Sequence, residues 1–467
     1  MGVALKGAAI PRIARGDRVT LHGARFLCGG SGAGVRTLRL ALAFATVLCA
    51  AAAGQAQTPP PGGTPGNAAE ATDLINTMLG SLMGTGEVTG PGLQREVAEV
   101  GGIPFRRDVP IAFMGKDELV RYLREVFDSE YPPERAEADE RLLQALDLLA
   151  PGADLRGIRA RLLEENVVGF YDERPGRQQL FAVSEEQAFT PMNQIILAHE
   201  LRHALQDQYQ QLHWQLPEEV GDFDDRRLAF MSLLEGDATL VMERFVLGRL
   251  GALGVGGLMG DLVDQSYAGM AVPGLADVPG APPVLRDHMV MPYLAGRDLA
   301  RAIEARGGSE AMLEAWRRPP ESTEQVLHPE KFFSGEPPRV VTVRRAPPGG
   351  RLLSQGVLGE LLIRTLVEEA GEGPAAAGWG GDAWRLWDVE GRTVLVWGSA
   401  WDRVEDAAEF EDALRRRFAR RRGTEGHHGA WAVFEGAAGW RFALRRQADR
   451  VDLVSSDSSA PLEALLR

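Results

Sequence analysis

The stretch LAHELRHALQDQY, from Leu197 to Tyr209, constrains the fold more than any other part of the chain. On an α-helix, residues four apart lie one turn apart on the same face, so His199 and His203 present two imidazoles to one point. Imidazole nitrogen is a good zinc ligand, and a carboxylate commonly completes such a site. Glu200 lies about 100° round the helix, off the metal, where it can take a proton from water. The spacing therefore predicts a zinc-binding helix with hydrolytic chemistry.

The third ligand is predicted on a second long helix, from about Asp224 to Leu250. An apolar stripe on this helix is interrupted by Glu235, and the stripe consists of Leu228, Met231, Ala238, Met242 and Phe245. An ionised carboxylate there is costly unless it is paired or bound to a metal. Glu235 follows His203 by 32 residues, which suits an antiparallel return of the chain. The alternatives are a surface helix with histidines at this spacing by chance, and a Glu235 at the rim that reaches solvent.

Residues 1–56 are predicted to be an export leader. Arg36 and Arg39 precede the apolar run LALAFATVLCAAAA, and small residues follow before a Pro-rich stretch, which predicts cleavage after Ala56. Residues 57–68 are predicted to be a flexible linker. A membrane anchor that stays attached is the alternative, but the apolar run is shorter than the ~20 residues of a span. The mature chain is expected in the periplasm, at the cell surface or outside the cell, with no stable membrane span.

Cysteine and charge exclude several classes of function. Both cysteines, Cys28 and Cys49, lie in the leader, which excludes thiol catalysis and cysteine-based zinc sites in the mature chain. Residues 1–56 carry seven basic side chains and one acidic one, a net charge of +6. Because the whole chain has a net charge of −14, residues 57–467 carry −20. Such a charge argues against a nucleic-acid partner and against an anionic membrane surface.

The elements along the chain predict an α+β fold in two domains, residues 69–338 and 339–467. The first has amphipathic helices in KDELVRYLREVFDSEYPPER and ERLLQALDLLAPG, a β-hairpin in NVVGFYDERPGRQQLFAV, and a helix from Pro191 to Tyr209 that Thr190 caps. Residues 251–280 are rich in Gly, Met and Pro, and this composition predicts a loop or a mobile cover. The second is a small α+β domain with a helix, a hairpin, a charged helix and further strands, and its role is left open.

HELRHALQD resembles the thermolysin-type HELTHAVTD of the gluzincins, zinc metallopeptidases with HExxH on one helix and a ligand glutamate on the next. The blocks VVGFYD, EGDA and STEQVLHPEKFF are similar to those of poorly characterised secreted microbial HExxH proteins, over roughly Val167 to Phe333. The metzincin pattern fails, because Tyr209 stands in place of its third histidine. The resemblance implies a zincin-like domain in which His199, His203 and Glu235 bind Zn²⁺ and Glu200 is the general base. It also implies an edge strand in the hairpin, to which an extended peptide adds.

The resemblance also indicates where the sequence departs from the family. Thr239 stands where an aspartate commonly orients the first histidine, so another residue, such as Asp237, is expected to hold His199. The implied reaction is hydrolysis of a peptide or protein substrate, which needs a further donor for the oxyanion. His328, Tyr293 and His288 are the candidates, and His328 is preferred because it lies in the compact EQVLHPEK block. The rival functions are a non-catalytic, zinc-stabilised binding protein and a zinc hydrolase of a non-peptide amide or ester.

Overall fold

The computed structural model describes residues 88–166, 169–184, 188–210, 221–252, 282–343, 346–368, 371–422, 425–435 and 439–466. All of these fall within one compact unit of the chain. The predicted leader, the linker and most of the segment 251–280 lie outside the described residues. The fold is mixed α+β.

The chain up to residue 210 alternates helices with short strands. These are α1 (Gly90–Gly101), β1 (Ile111–Met114), α2 (Lys116–Glu130), α3 (Pro133–Ala145), α4 (Leu155–Asn166), β2 (Gly169–Asp172), β3 (Gln179–Val183) and α5 (Pro191–Gln210). Helix α2 ends before Pro132, because a proline disfavours helical backbone in the residue before it. Helix α3 begins earlier than predicted, with Pro133 in its first turn, and ends at Ala145.

The predicted hairpin is confirmed and belongs to a three-stranded sheet. Its strands β2 and β3 pair antiparallel, with Phe170 opposite Phe181, and β1 pairs parallel with β3 on the other side. The order β1-β3-β2 makes β2 an edge strand among the described residues. All four residues of β2 are buried, because α5 packs against it.

Two long helices form the centre of the molecule. Helix α6 (Asp225–Ala252) packs on α5, and α7 (Pro283–Arg317), which is interrupted at Gly307 and Gly308, packs along α6. The closest approach is at Gly236 and Gly296, where a Cβ on either residue would overlap the backbone of the other helix. Two glycines thus allow α7 to lie directly against the turn of α6 that carries Glu235.

The last part of the chain forms a seven-stranded sheet with helices against it. After α8 (Thr323–Leu327) and α9 (Pro329–Ser334) come β4 (Arg351–Gly356), α10 (Gly359–Glu368), β5 (Trp379–Val389), β6 (Arg392–Trp401), α11 (Val404–Arg422), β7 (Gly426–His428), β8 (Trp431–Glu435), β9 (Arg441–Gln447), β10 (Arg450–Ser456) and α12 (Ser459–Leu466). The strand order is β4-β5-β6-β10-β9-β8-β7, with every neighbouring pair antiparallel.

This sheet shares a core with the helices that come before it. One hydrophobic cluster includes Leu143 of α3, Leu162 of α4 and Trp397 of β6. Ser455 on β10 also donates a hydrogen bond to the carbonyl oxygen of Ala145, at 2.6 Å. The packing is therefore continuous across the domain boundary predicted near residue 339. None of the helices in the described ranges has the length and apolar character that crossing a membrane requires.

Candidate metal centre

Two imidazole nitrogen atoms from α5 and one carboxylate oxygen atom from α6 converge at the predicted metal site. The Nε2 atom of His199 lies 3.0 Å from Nε2 of His203 and 3.1 Å from Oε2 of Glu235, and His203 Nε2 lies 3.3 Å from the same oxygen. A tetrahedral zinc ion with ligands at about 2.0–2.1 Å has ligand atoms roughly 3.3 Å apart. The three donors therefore have the spacing of a metal-binding set, and they form the only such His, Cys, Asp or Glu group among the described residues.

The three side chains are buried, which decides between the alternatives for this helix pair. His199, His203 and Glu235 are 2%, 0% and 1% exposed. Helix α5 is thus no surface helix, and Glu235 does not reach solvent from the rim. Helix α5 ends at Gln210 and α6 at Ala252, within two residues of the predicted bounds.

Gln206 sets the tautomer of His203. Its amide nitrogen faces two acceptors, the carbonyl oxygen of Leu234 at 3.1 Å and Oδ2 of Asp237 at 2.7 Å. The amide oxygen of Gln206 must therefore face Nδ1 of His203, at 2.8 Å, and accept its proton. With its Nδ1 proton held in this way, His203 can offer the lone pair of Nε2 to a metal ion that displaces the proton there, as a ligand requires.

Asp237 has a different role from the one expected. Instead of holding His199, it forms a bidentate ion pair with Arg202, with both distances 2.9 Å, and accepts from Gln206. Both partners of this ion pair are fully buried. Within the described residues, Nδ1 of His199 has no hydrogen-bond partner. The chain Arg202–Asp237–Gln206 therefore orients the second histidine and not the first.

Glu200 lies next to the metal-binding set with one oxygen held and one oxygen open. Its Oε2 accepts a hydrogen bond from the backbone N–H of Tyr171 on edge strand β2, at 3.0 Å. Its Oε1 is buried and has no hydrogen-bond partner in the described part of the chain. The N–H that a peptide would use at this edge is thus already bonded to Glu200. A second contact, from the Tyr171 hydroxyl to Asp207 at 2.9 Å, ties the same strand to α5.

Burial controls the ionisation of these groups. It raises the pKa of Glu200 to about 8, with a further contribution from Glu235, although His203 and the Tyr171 N–H lower it. Burial disfavours charge on His203 too, but Glu235 outweighs it and raises the pKa of His203 to about 9. Burial lowers the pKa of His199. Among the protein groups alone, a proton thus lies between His203 and Glu235, where a divalent cation would satisfy both.

A cavity of about 70 Å³ adjoins the metal centre. Glu235 and Tyr293 line it, and the ring of Tyr293 stacks on His199 with 6.2 Å between the ring centroids. His288 also lines the cavity. His328, the preferred oxyanion donor on sequence grounds, instead donates to Glu360 on α10 at 2.9 Å and is not among the lining residues. The structure therefore places Tyr293 and His288, but not His328, beside the metal centre.

Sequence reasoning missed two contributors. Gln206 was assigned no role in the site from the sequence, and the Tyr171 N–H is a backbone group that no motif marks. The signal for Gln206 was present, since a residue three after His203 lies on the same side of the helix.

The comparisons with known proteins bear on the C-terminal part alone. A family described as "Domain of unknown function (DUF8575)" matches residues 344–466. This match covers the seven-stranded sheet and lies outside the metal centre. No curated protein and no solved structure matches the chain.

Proposed function

We propose that this protein is a zinc-dependent peptidase with a zincin-like catalytic domain, in which His199, His203 and Glu235 hold the ion and Glu200 is the general base. The observation that carries the proposal is the three-atom set, with spacings of 3.0–3.3 Å, beside a glutamate that has one uncommitted oxygen within the described residues. A purely structural zinc site has no need of that glutamate.

The donor types fit zinc, because two neutral imidazoles and one carboxylate are a common ligand set of catalytic zinc. When bound, zinc supplies Lewis acidity that polarises a carbonyl group and lowers the pKa of water. The chain's own residues then move the proton. The Tyr171 N–H fixes one oxygen of Glu200, and the other takes a proton from the attacking water and delivers it to the leaving amine.

Tyr293 is the oxyanion donor that we propose. It lines the cavity and its ring stacks on His199, which places it next to the metal-binding set. A phenol can donate a hydrogen bond to the carbonyl oxygen as negative charge develops on it. His328 is a poorer candidate, because Glu360 already accepts from it.

The substrate that we propose is a peptide or protein outside the cytoplasm, because the first 56 residues have the pattern of an export signal. The strongly acidic mature chain supports a partner other than nucleic acid.

Burial of the centre favours one rival. All four residues of the site are at most 2% exposed, and a zinc ion that only ties α5 to α6 would be buried in this way. In that case the protein is a zinc-stabilised binding protein, and its working surface lies elsewhere.

The substitution Glu200→Gln tests the proposal. It keeps the shape of the side chain but removes the base, so we expect zinc content to stay at the wild-type level and peptide hydrolysis to fall by at least about 100-fold. The measurements are metal content by mass spectrometry and cleavage of a mixed peptide library by the zinc-loaded protein. Undiminished cleavage by Glu200→Gln would rule out the assigned base. A zinc-loaded wild type that cleaves no peptide would support the zinc-stabilised binding protein.

A further inference from the structure

The cavity beside the metal centre has a composition that the proposed reaction does not explain. Part of its wall is apolar and is formed by Leu228, Met231, Leu285, Met289 and Pro292. Polar residues form the rest of it: Glu130, Arg159, Asp222, Arg227 and His288, besides Glu235 and Tyr293 at the metal centre. A pocket that served only to admit water would have no need of buried guanidinium groups, whose desolvation is costly.

Three arginines of this region compete for one aspartate. Asp222 accepts from Arg135 at 2.6 Å through Oδ1 and from Arg159 at 2.7 Å through Oδ2. The Nε atom of Arg227 lies 3.9 Å from Asp222, which is beyond hydrogen-bond distance. Arg227 is therefore the guanidinium that Asp222 does not satisfy.

The side chain of Arg227 is buried and incompletely paired. It is 7% exposed, and its Nη1 has no hydrogen-bond partner within the described residues. Burial, which Asp222 only partly offsets, lowers the pKa of Arg227, whereas Asp222 outweighs burial at Arg159 and raises the pKa there. An arginine nevertheless stays charged in a protein, so Arg227 is a buried cation whose nearest carboxylate in the described part of the chain, that of Asp222, lies beyond hydrogen-bond distance of its Nε atom.

Two guanidinium groups, of Arg159 and Arg227, and three carboxylates, of Glu130, Asp222 and Glu235, line the cavity. Asp222 accepts from Arg135 and Arg159, and Glu235 belongs to the metal-binding set, so neither of these two carboxylates is committed to Arg227. Glu130 is the weaker of the electrostatic partners of Arg227. Burial lowers the pKa of His288 to about 4, so that residue is neutral at pH 7. Asp139 contributes less than a full negative charge, because burial and Asp222 raise its pKa.

The volume of the cavity limits what can enter. A single water molecule needs roughly 10–15 Å³ of such space, so a cavity of about 70 Å³ holds on the order of five non-hydrogen atoms. A glutamate side chain has that size, with an apolar stem for the apolar wall and a carboxylate for a guanidinium. A benzyl or indole group is too large.

We propose that this cavity is a substrate subsite that takes an acidic side chain, and that Arg227 pairs with its carboxylate, so the enzyme cleaves peptides next to glutamate. This inference rests on the proposed peptidase function, and it adds the class of substrate. A guanidinium and a carboxylate can form a bidentate, charge-assisted pair, which an amide of the same shape cannot match. Arg227 is thus a specificity-determining residue.

Peptide pairs that differ only in Glu against Gln, at each position flanking the scissile bond, test the inference. At one position we expect kcat/KM of the zinc-loaded wild type to be at least about tenfold higher for the Glu peptide than for the Gln peptide. A site built to pair with a polar group discriminates strongly against an analogue that lacks that group. Arg227→Gln should bring this ratio close to one. The control is Arg226→Gln, an exposed neighbour on the same helix, which should leave the ratio unchanged. Equal rates for Glu and Gln in the wild type at every position would overturn the inference.

Binding of a small dicarboxylate separates this inference from the peptidase function. Calorimetry with the metal-free wild type should show glutarate binding at least about tenfold more tightly than its monoamide, glutaramate, and Arg227→Gln should abolish the difference. If no peptide is cleaved but glutarate is preferred, the peptidase function falls and the anion subsite remains. If peptides are cleaved with no preference and glutarate is not preferred, the subsite is wrong and the peptidase function remains. Both wild-type comparisons stand even if Arg227→Gln fails to fold.

Discussion

At the scale of single residues, the metal centre depends on how its second histidine is oriented. Gln206 accepts the proton of His203 Nδ1 because its amide group is fixed by Leu234 and Asp237. Asp237 in turn is held by Arg202 in a buried ion pair. His203 is thus oriented by two side chains of α5, those of Gln206 and Arg202, and one of α6, that of Asp237, none of which belongs to the metal-binding set.

The substitution Gln206→Leu tests this orientation. It removes the acceptor for His203 Nδ1, and loss of such an outer contact typically weakens metal binding about 10–100-fold. We expect that loss in a zinc competition titration with a chromogenic chelator. The matched control is Gln208→Leu on the same helix, because Gln208 contacts the backbone of Arg106 and Arg107 instead. Equal zinc affinity in Gln206→Leu and wild type would contradict the assigned tautomer.

The sequence was a good guide to which side chains converge at the candidate metal centre and a poor one to their surroundings. His199, His203 and Glu235 could be predicted because helical spacing and a carboxylate in an apolar stripe are local patterns. The partner of His203 could be suspected from spacing alone. The role of Asp237 could not be predicted, because it depends on a tertiary contact. Helix α5 places a buried cation, Arg202, opposite this carboxylate.

At the scale of elements, the centre requires α6 and α7 to lie very close together. Gly236 directly follows Glu235, the proposed third ligand, and it faces Gly296 of α7. A methyl group at either position would force the two helices apart. The turn that carries Glu235 is therefore positioned by helix packing as well as by its own sequence.

Gly236→Ala should therefore be destabilising. The added methyl group meets backbone, which cannot rotate away, and overpacking of this kind costs about 1–3 kcal/mol or more. The measurement is the free energy of unfolding from urea titrations. Gly248→Ala on the same helix is the control, since a Cβ there meets nothing within 4 Å. That substitution should stabilise by about 0.5–1 kcal/mol, the usual gain of alanine over glycine in a helix. A Gly236→Ala variant as stable as Gly248→Ala would contradict the packing.

Elements with strong periodicity were predicted well, and short ones were not. Helices α5 and α6 and the β2–β3 hairpin all appear close to their predicted bounds. Strand β1 was missed, because its four residues, Ile111–Met114, are too few for a pattern and it pairs with a strand far along the chain. The early start of α3 was missed because its first turns are mostly charged.

At the scale of the whole molecule, the C-terminal sheet is joined to the helical part through polar contacts as well as through a shared core. His328 at the start of α9 pairs with Glu360 of α10 at 2.9 Å. Lys331 contacts both Glu324 and Asp402. The block EQVLHPEK, which suggested a catalytic histidine on sequence grounds, thus connects the two parts of the chain.

The His328 pair predicts a small pH dependence of stability. The hydrogen bond to Glu360 raises the pKa of His328 above its usual 6.5, against the effect of burial. The stabilisation is therefore fully present below about pH 6.5 and is lost as the pH rises through the folded-state value. Because a third of the side chain is exposed, the contribution should be below about 1 kcal/mol. Urea titrations between pH 6 and 8 should show a flatter dependence in His328→Gln. An identical pH dependence in wild type and variant would contradict this role.

The domain organisation was only partly accessible from the sequence. The change of pattern near residue 339 stays a prediction of a domain boundary; the matched family region begins at residue 344. The packing of that region on α3 could not be foreseen, because it depends on residues far apart along the chain, such as Ser455 and Ala145, which share a hydrogen bond.

The measurement that tests the account most directly is the zinc content of purified protein, in the wild type and in Glu235→Gln, after dialysis against buffered zinc. The account predicts one zinc ion per chain in the wild type and a loss or sharp weakening of binding in Glu235→Gln, because the amide removes a charged ligand. Glu243→Gln on the same helix is the control and should keep its zinc, since Glu243 pairs with Arg301 and not with the metal-binding set. A wild type that binds no zinc, or a Glu235→Gln variant that binds it as tightly as the wild type, would contradict the account.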